Sequence, residues 1–112
     1  MIFSLSALEL EVSNIIMKSL IIDAAAKKIY LALINNKNIY TCSYENSKSN
    51  FDRLVILIED FLSSNKSQIY EIEEIYVNRG PGSFAGIRSS LSIVKGYYLT
   101  RKIDYYCFSF ND

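Results

Sequence analysis

The segment Arg79-Gly80-Pro81-Gly82-Ser83-Phe84 restricts the folds open to this chain more than any other. Ahead of it, Ile72 to Asn78 (IEEIYVN) reads as a strand; behind it, Phe84 to about Leu99 reads as a helix with Ser83 as its N-cap. Gly80 and Gly82 lack the Cβ that forbids positive φ, and Pro81 fixes one dihedral between them. The chain therefore turns sharply from strand to helix, as it does where helices lie on a sheet.

The remaining pattern completes that sheet. Lys18 to about Ala24 is a short β-branched run ending at Asp23 and a tight turn. Ile29–Ile34 and Ile39–Tyr44 are two further strands, and the Asn35-Asn36-Lys37 cluster between them predicts a hairpin. Ser49 with Asp52 matches a capping box, which starts a helix near Phe51. Its inward stripe is Phe51, Leu54, Val55, Ile58, Phe61 and Leu62, while Ile56 and Leu57 widen it toward a second buried face. Ser63 to Ser67 ends that helix, and Tyr105 to Phe110 reads as the last strand. The order βββαβαβ suits one ribonuclease H-like lobe of the α/β class, a mixed sheet covered by helices. On the helix after the turn, Phe84, Ile87, Leu91, Val94 and Tyr98 form the expected core stripe. Gly86, Ser89, Ser90, Ser92 and Gly96 then leave small residues on the surface, where another helix can come close.

Composition removes several functions. Twelve basic residues balance twelve acidic ones, so no net field draws the chain to nucleic acid or an anionic membrane, and tRNA contact is expected only indirectly. There is no histidine, and Cys42 and Cys107 are far apart, which leaves no His-based triad and no zinc spacing. Reduced thiols and a cytoplasmic location are the expectation. Residues 1–16, MIFSLSALELEVSNII, carry Glu9 and Glu11 and fit neither a signal peptide nor a membrane span. They are read as an N-terminal extension or a misassigned start ahead of Met17.

Arg79 to Gly96, RGPGSFAGIRSSLSIVKG, resembles the signature of the TsaB/YeaZ family, a GRGPGSFTGxR turn followed by a helix ending in A(K/Q)GLA. Arg79, Gly80, Pro81, Gly82, Ser83, Phe84, Gly86, Arg88, Lys95 and Gly96 fall on family positions, and Asp23 matches the acid that ends the family's opening strand. Asn78, Ala85 and Ala24–Ala26 depart from the pattern, as does the lack of histidine before the first helix. The resemblance covers about residues 17 to 110 and implies the N-terminal lobe of an actin/sugar-kinase/Hsp70-type fold, with the second lobe missing from 17–112. It further implies a non-catalytic scaffold in tRNA threonylcarbamoyladenosine formation, with no cofactor. The implied partners are a TsaD-like catalytic subunit, contacted through the two helices, and a TsaE-like ATPase. Carried over where the helices match, that interface comprises Leu54, Ile56, Leu57, Phe61, Gly86, Ser89, Ser90, Ile93 and Tyr97. A degenerate ATPase or peptidase-like lobe, and a self-associating homodimer, are the alternatives.

The glycine turn invites a phosphate-loop reading, yet GPGSFAG fits neither a Walker loop nor GxGxxG. A structural junction is therefore preferred to an anion contact at Arg79, Gly80, Pro81, Gly82, Ser83, Phe84 and Arg88. Asp23 is either a vestigial metal acid or a turn cap, the second being favoured because no other carboxylate lies close in sequence. Arg88, near a helix N-terminus, gains nothing from the dipole, so a carboxylate in the lobe or on a partner is expected to hold it.

Overall fold

Alternating apolar residues build the sheet. In β1 (Lys18–Asp23), Leu20 and Ile22 are fully buried; in β2 (Lys28–Asn35), Ile29, Leu31 and Leu33 are buried in the same way. The antiparallel register sets Leu20 beside Leu33 and Ile22 beside Leu31, so these side chains share one face. β3 (Asn38–Glu45) closes the expected hairpin around Asn36, whose φ of 58° suits a residue type that tolerates the left-handed region. β4 (Glu74–Asn78) lies parallel to β1 and contributes buried Ile75 and Val77; β5 (Asp104–Phe108) lies parallel to β4. The strand order is β3-β2-β1-β4-β5. The computed structural model describes residues 17–109, so the expectations for residues 1–16 and for the strand end at Phe110 lie outside the described residues. Cys42 on β3 and Cys107 on β5 occupy opposite sheet edges, about 19 Å apart at four strand spacings, too far for a bridge.

Three helices lie on the face that carries Leu20 and Ile22. The first begins earlier than the Ser49–Asp52 pattern suggests. Ser47 is the N-cap, its hydroxyl accepting from the Asn50 N–H, and α1 runs Lys48–Asp52. Asp52 pairs with Lys48 at 2.9 Å instead of completing a capping box. Arg53 breaks the helix, with φ −111° and ψ 14°, and α2 follows as Leu54–Ser64. That break shifts the phase of α2, so Leu54, Leu57, Ile58, Phe61 and Leu62 face inward, and Val55 (42% exposed) and Ile56 (53% exposed) face outward. Placing Val55 in the core and Leu57 on a second face is thereby corrected.

The larger correction concerns α3 (Phe84–Arg101). Its inward line is Gly86, Ser90, Val94 and Tyr97, whereas Phe84 (76% exposed) and Tyr98 (50% exposed) point away from the core. The inner face is narrow because α3 begins in contact with the β1–β2 turn: a methyl group on Gly86 would overlap the Ala24 carbonyl oxygen and press on the Phe51 ring. Ser90 is fully buried and its hydroxyl donates to the Ile87 carbonyl at 3.0 Å, so its desolvation is compensated within the helix. Lys102 ends α3 in the left-handed conformation, and Tyr105 of β5 meets Tyr98 edge-on at 6.0 Å. At the other end of the sheet the buried Lys18 ammonium donates to Ser67 Oγ at 3.1 Å and pairs with Glu71 at 3.3 Å, fixing the loop before β4.

Candidate protein-docking site

Three chain segments converge at the C-terminal ends of β1 and β4. The Asp23 carboxylate accepts from the Ala25 N–H and from Asn78 Nδ2, both at 3.1 Å, which closes the β1–β2 turn and ties it to the end of β4. Asn78 is fully buried, and its Oδ1 accepts from the Gly80 N–H at 2.8 Å. Gly80 has φ +112°, open only to a residue without Cβ, and a methyl group on Gly82 would overlap the Ala25 carbonyl. The Ser83 N–H donates to that same carbonyl at 2.8 Å, while Ser83 Oγ caps α3 by accepting from the Gly86 N–H at 3.2 Å. Asn46, in the β3–α1 loop, donates to the carbonyls of Ala24 and Ala26 from the other side.

This knot engages several of the motif's polar groups inside the chain. Asp23 acts as a turn cap. The N–H groups of Gly80, Ser83, Gly86 and Ile87 are donated within the chain and Pro81 has none, so these groups serve the strand-to-helix junction. Asn78 and Asn46 were missed as organising residues. Asn78 was visible only as a polar residue at the end of an apolar strand, and Asn46 lay in a polar loop with nothing to single it out.

The expected interface residues separate into two groups. Leu54, Leu57, Phe61, Gly86, Ser90 and Tyr97 are buried, so their contacts are made inside the chain. Tyr97 also donates to Glu59 at 3.2 Å, joining α3 to α2. Ile56 is exposed, and Ser89 and Ile93 are half-buried. Ser89 donates to the Phe51 carbonyl at 3.3 Å and so anchors α3 to the end of α1. The outward line of α3 that remains is Ala85, Ser89, Ser92, Gly96 and Thr100, at spacings of four, three, four and four. It borders a shallow groove lined by Phe51, Val55, Phe84, Arg88, Ser92 and Ile93. Arg88 is exposed at the groove edge, and no carboxylate pairs with it among the described residues. A Cβ added at Gly96 would meet nothing within 4 Å.

A groove between paired helices, beside a glycine-proline turn at the end of a parallel strand pair, is therefore what other proteins can be compared with. Residues 44–109, more than half of the chain, match the family described as TsaD: tRNA N6-adenosine threonylcarbamoyltransferase. The chain belongs to this family. Within it, the similar relatives are TsaB proteins. The tRNA threonylcarbamoyladenosine biosynthesis protein TsaB of Escherichia coli (strain K12) is 30% identical over 87 residues, covering 74% of this chain and 36% of its own length. The TsaB of Buchnera aphidicola subsp. Acyrthosiphon pisum (strain APS) is 28% identical over 91 residues, 81% of this chain and 40% of the relative. YeaZ from Pseudomonas aeruginosa superposes with a TM-score of 0.76 at 20% identity, over 83% of this chain and 44% of that structure, a likeness of fold. The chain thus spans about two fifths of the length of the curated TsaB relatives it matches, and it matches their N-terminal part.

Proposed function

We propose that this chain acts in tRNA threonylcarbamoyladenosine formation as a non-catalytic scaffold, binding a TsaD-like catalytic subunit through the outward faces of α2 and α3. The observation that carries the reading is Gly96. A glycine inside a helix costs about 1 kcal/mol relative to alanine, and no neighbour within the chain needs the missing Cβ. A close-packed partner helix would need it. The exposed apolar side chains of Val55, Ile56, Phe84 and Leu99 supply the rest of such a contact, and Arg88 is available to a partner carboxylate. The non-catalytic part of the proposal draws support from Asp23 and the glycine turn, whose polar groups are used to hold the chain together. A TsaE-like ATPase would then act on the assembled complex, and the cytoplasm is the compartment proposed for it; no helix among the described residues is long and apolar enough to cross a membrane.

The test is co-expression of the 112-residue chain with the TsaD homologue of its own organism, followed by size-exclusion chromatography with light scattering. The expected result is a one-to-one complex, abolished by Gly96→Trp or Ser92→Trp while the circular dichroism melt of the chain stays cooperative. Gly86 and Ser90 are unsuitable for this purpose, since both are buried and their enlargement would disturb the fold itself. A chain that ignores the TsaD homologue, or that forms a homodimer through the same face in its presence, would overturn the proposal.

A further inference from the structure

β3 forms one outer edge of the sheet, bonded to β2 and to no other strand among the described residues. The two-residue turn through Asn36 and Lys37 makes Asn35 and Asn38 a hydrogen-bonded pair, and in an antiparallel ladder such pairs recur at every second residue. The backbone groups of Tyr40, Cys42 and Tyr44 are therefore directed at β2, and those of Ile39, Thr41 and Ser43 point outward. The Glu45 carbonyl, next in the outward series, accepts from Asn50 Nδ2 at 2.8 Å, which agrees with this phase. Among the described residues, no other element bonds to the backbone of Ile39, Thr41 or Ser43.

Edge strands are commonly protected from pairing by a lysine or proline within the strand, or by a bulge. β3 has none of these. Its register with β2 runs unbroken from Lys28–Glu45 to Asn35–Asn38, and its sequence, NIYTCSYE, contains neither lysine nor proline. Ile39 is 66% exposed, and Thr41 and Ser43 are open to solvent beside it.

Two copies of such an edge join when outward residues of one meet outward residues of the other across a two-fold axis. An antiparallel alignment centred on Thr41 sets Thr41 against Thr41, Ile39 against Ser43 and Lys37 against Glu45, the last two pairs occurring twice by symmetry. Centring on Cys42 would instead set Ile39 against Glu45, and centring on Tyr40 would set Lys37 against Ser43. Of the three, only the alignment on Thr41 brings opposite charges together. Lys37 and Glu45 are both exposed, and neither is in an ion pair among the described residues. Lys28 lies across from Glu45 on β2, so in the pair each Glu45 carboxylate would stand between two ammonium groups.

We propose that the β3 edge is a self-pairing surface, and that its occupant is β3 of a second copy of this chain, antiparallel and centred on Thr41. The TsaD-like contact proposed above uses the outward faces of α2 and α3, so this pairing leaves it free. A complex holding both contacts would contain two copies of each protein.

Sedimentation equilibrium of the 112-residue chain, without any TsaD homologue, tests the pairing separately from that contact. The expected result is a reversible monomer–dimer equilibrium. Thr41→Pro should abolish the dimer and keep a cooperative melt, because the N–H that it removes points away from β2. Lys37→Glu should weaken the dimer by about tenfold, since two attractive pairs become repulsive, and adding Glu45→Lys should restore it. These two positions are exposed, so the charge exchange decides the matter even if Thr41→Pro fails to fold. Gly96→Trp on α3 should leave the dimer unchanged. A chain that stays monomeric up to about 1 mM would overturn the inference. So would a dimer that survives Thr41→Pro, one that is lost with Gly96→Trp, or a charge exchange that fails to restore it.

Discussion

Asn78 shows how one side chain can hold a junction together. It is completely buried at the end of β4, donating to Asp23 and accepting from the Gly80 N–H, so it links two strand ends to the turn that starts α3. Replacing it by alanine leaves the Gly80 N–H and one Asp23 lone pair without their partner in a water-poor site. Leaving buried polar groups unpaired costs about 1–3 kcal/mol. Urea denaturation of Asn78→Ala should show a loss of that order with an unchanged m-value; a loss below about 0.5 kcal/mol would mean that water replaces the amide freely. Asn78→Gly is a useful comparison. It should be no more stable than Asn78→Ala, because glycine adds backbone entropy to the unfolded chain. The acid at position 23 was legible as a turn cap from its place between an apolar strand and three alanines, but its long-range partner was not, because nothing local in the sequence links residues 23 and 78.

At the scale of elements, α3 gives the sharpest contrast between two glycines on one helix. Gly86 faces the Ala24 carbonyl and the Phe51 ring; Gly96 faces open space. Gly96→Ala should therefore raise stability by about 1 kcal/mol through helix propensity alone, and Gly86→Ala should lower it, because the backbone at Ala24 must move to admit the methyl group. Thermal denaturation of the two variants side by side decides the matter, and a rise in both would show that α3 sits less closely on the β1–β2 turn than described. The five strands, the hairpin and the strand-to-helix turn were legible in the sequence, since period-two burial and glycine-proline punctuation are local signals. The rotation of α3 was not. Its apolar residues outline a stripe through Phe84, Leu91 and Tyr98, but the closeness of the turn makes small side chains the ones that fit inward, at Gly86 and Ser90. The interface residues of α2 are misdirected in a related way: apolarity is read as availability, whereas Leu54, Leu57 and Phe61 are buried within the chain. The start of α1 was displaced by a competition between Ser47 and Ser49, which a capping pattern alone does not resolve.

In the molecule as a whole, one sheet face holds the core and the outer side of the helices carries the proposed TsaD-like contact. Two tyrosines sit within the helix-covered layer and make its integrity measurable. Burial beneath the helices pushes the Tyr44 phenol up to about 12, helped by its contact with Cys42. Tyr97 is driven higher still, first by burial and then by the Glu59 carboxylate that its hydroxyl contacts. In the unfolded chain both phenols ionise near the ordinary value of about 10. Below that pH both are neutral in either state and the pair has no pH dependence to contribute. Between about pH 10 and 12 the unfolded chain has lost protons that the folded chain retains, so folding stability falls as pH rises through that window. Each such group adds a slope of at most about 1.4 kcal/mol per pH unit. The melting temperature should therefore decline more steeply above pH 10 in the native sequence than in Tyr97→Phe, which removes one of the two ionisations while keeping the ring between α2 and α3. If the two proteins lose stability in parallel from pH 9 to 12, the Tyr97 hydroxyl is titrating in the folded state and the contact between α2 and α3 is open to water.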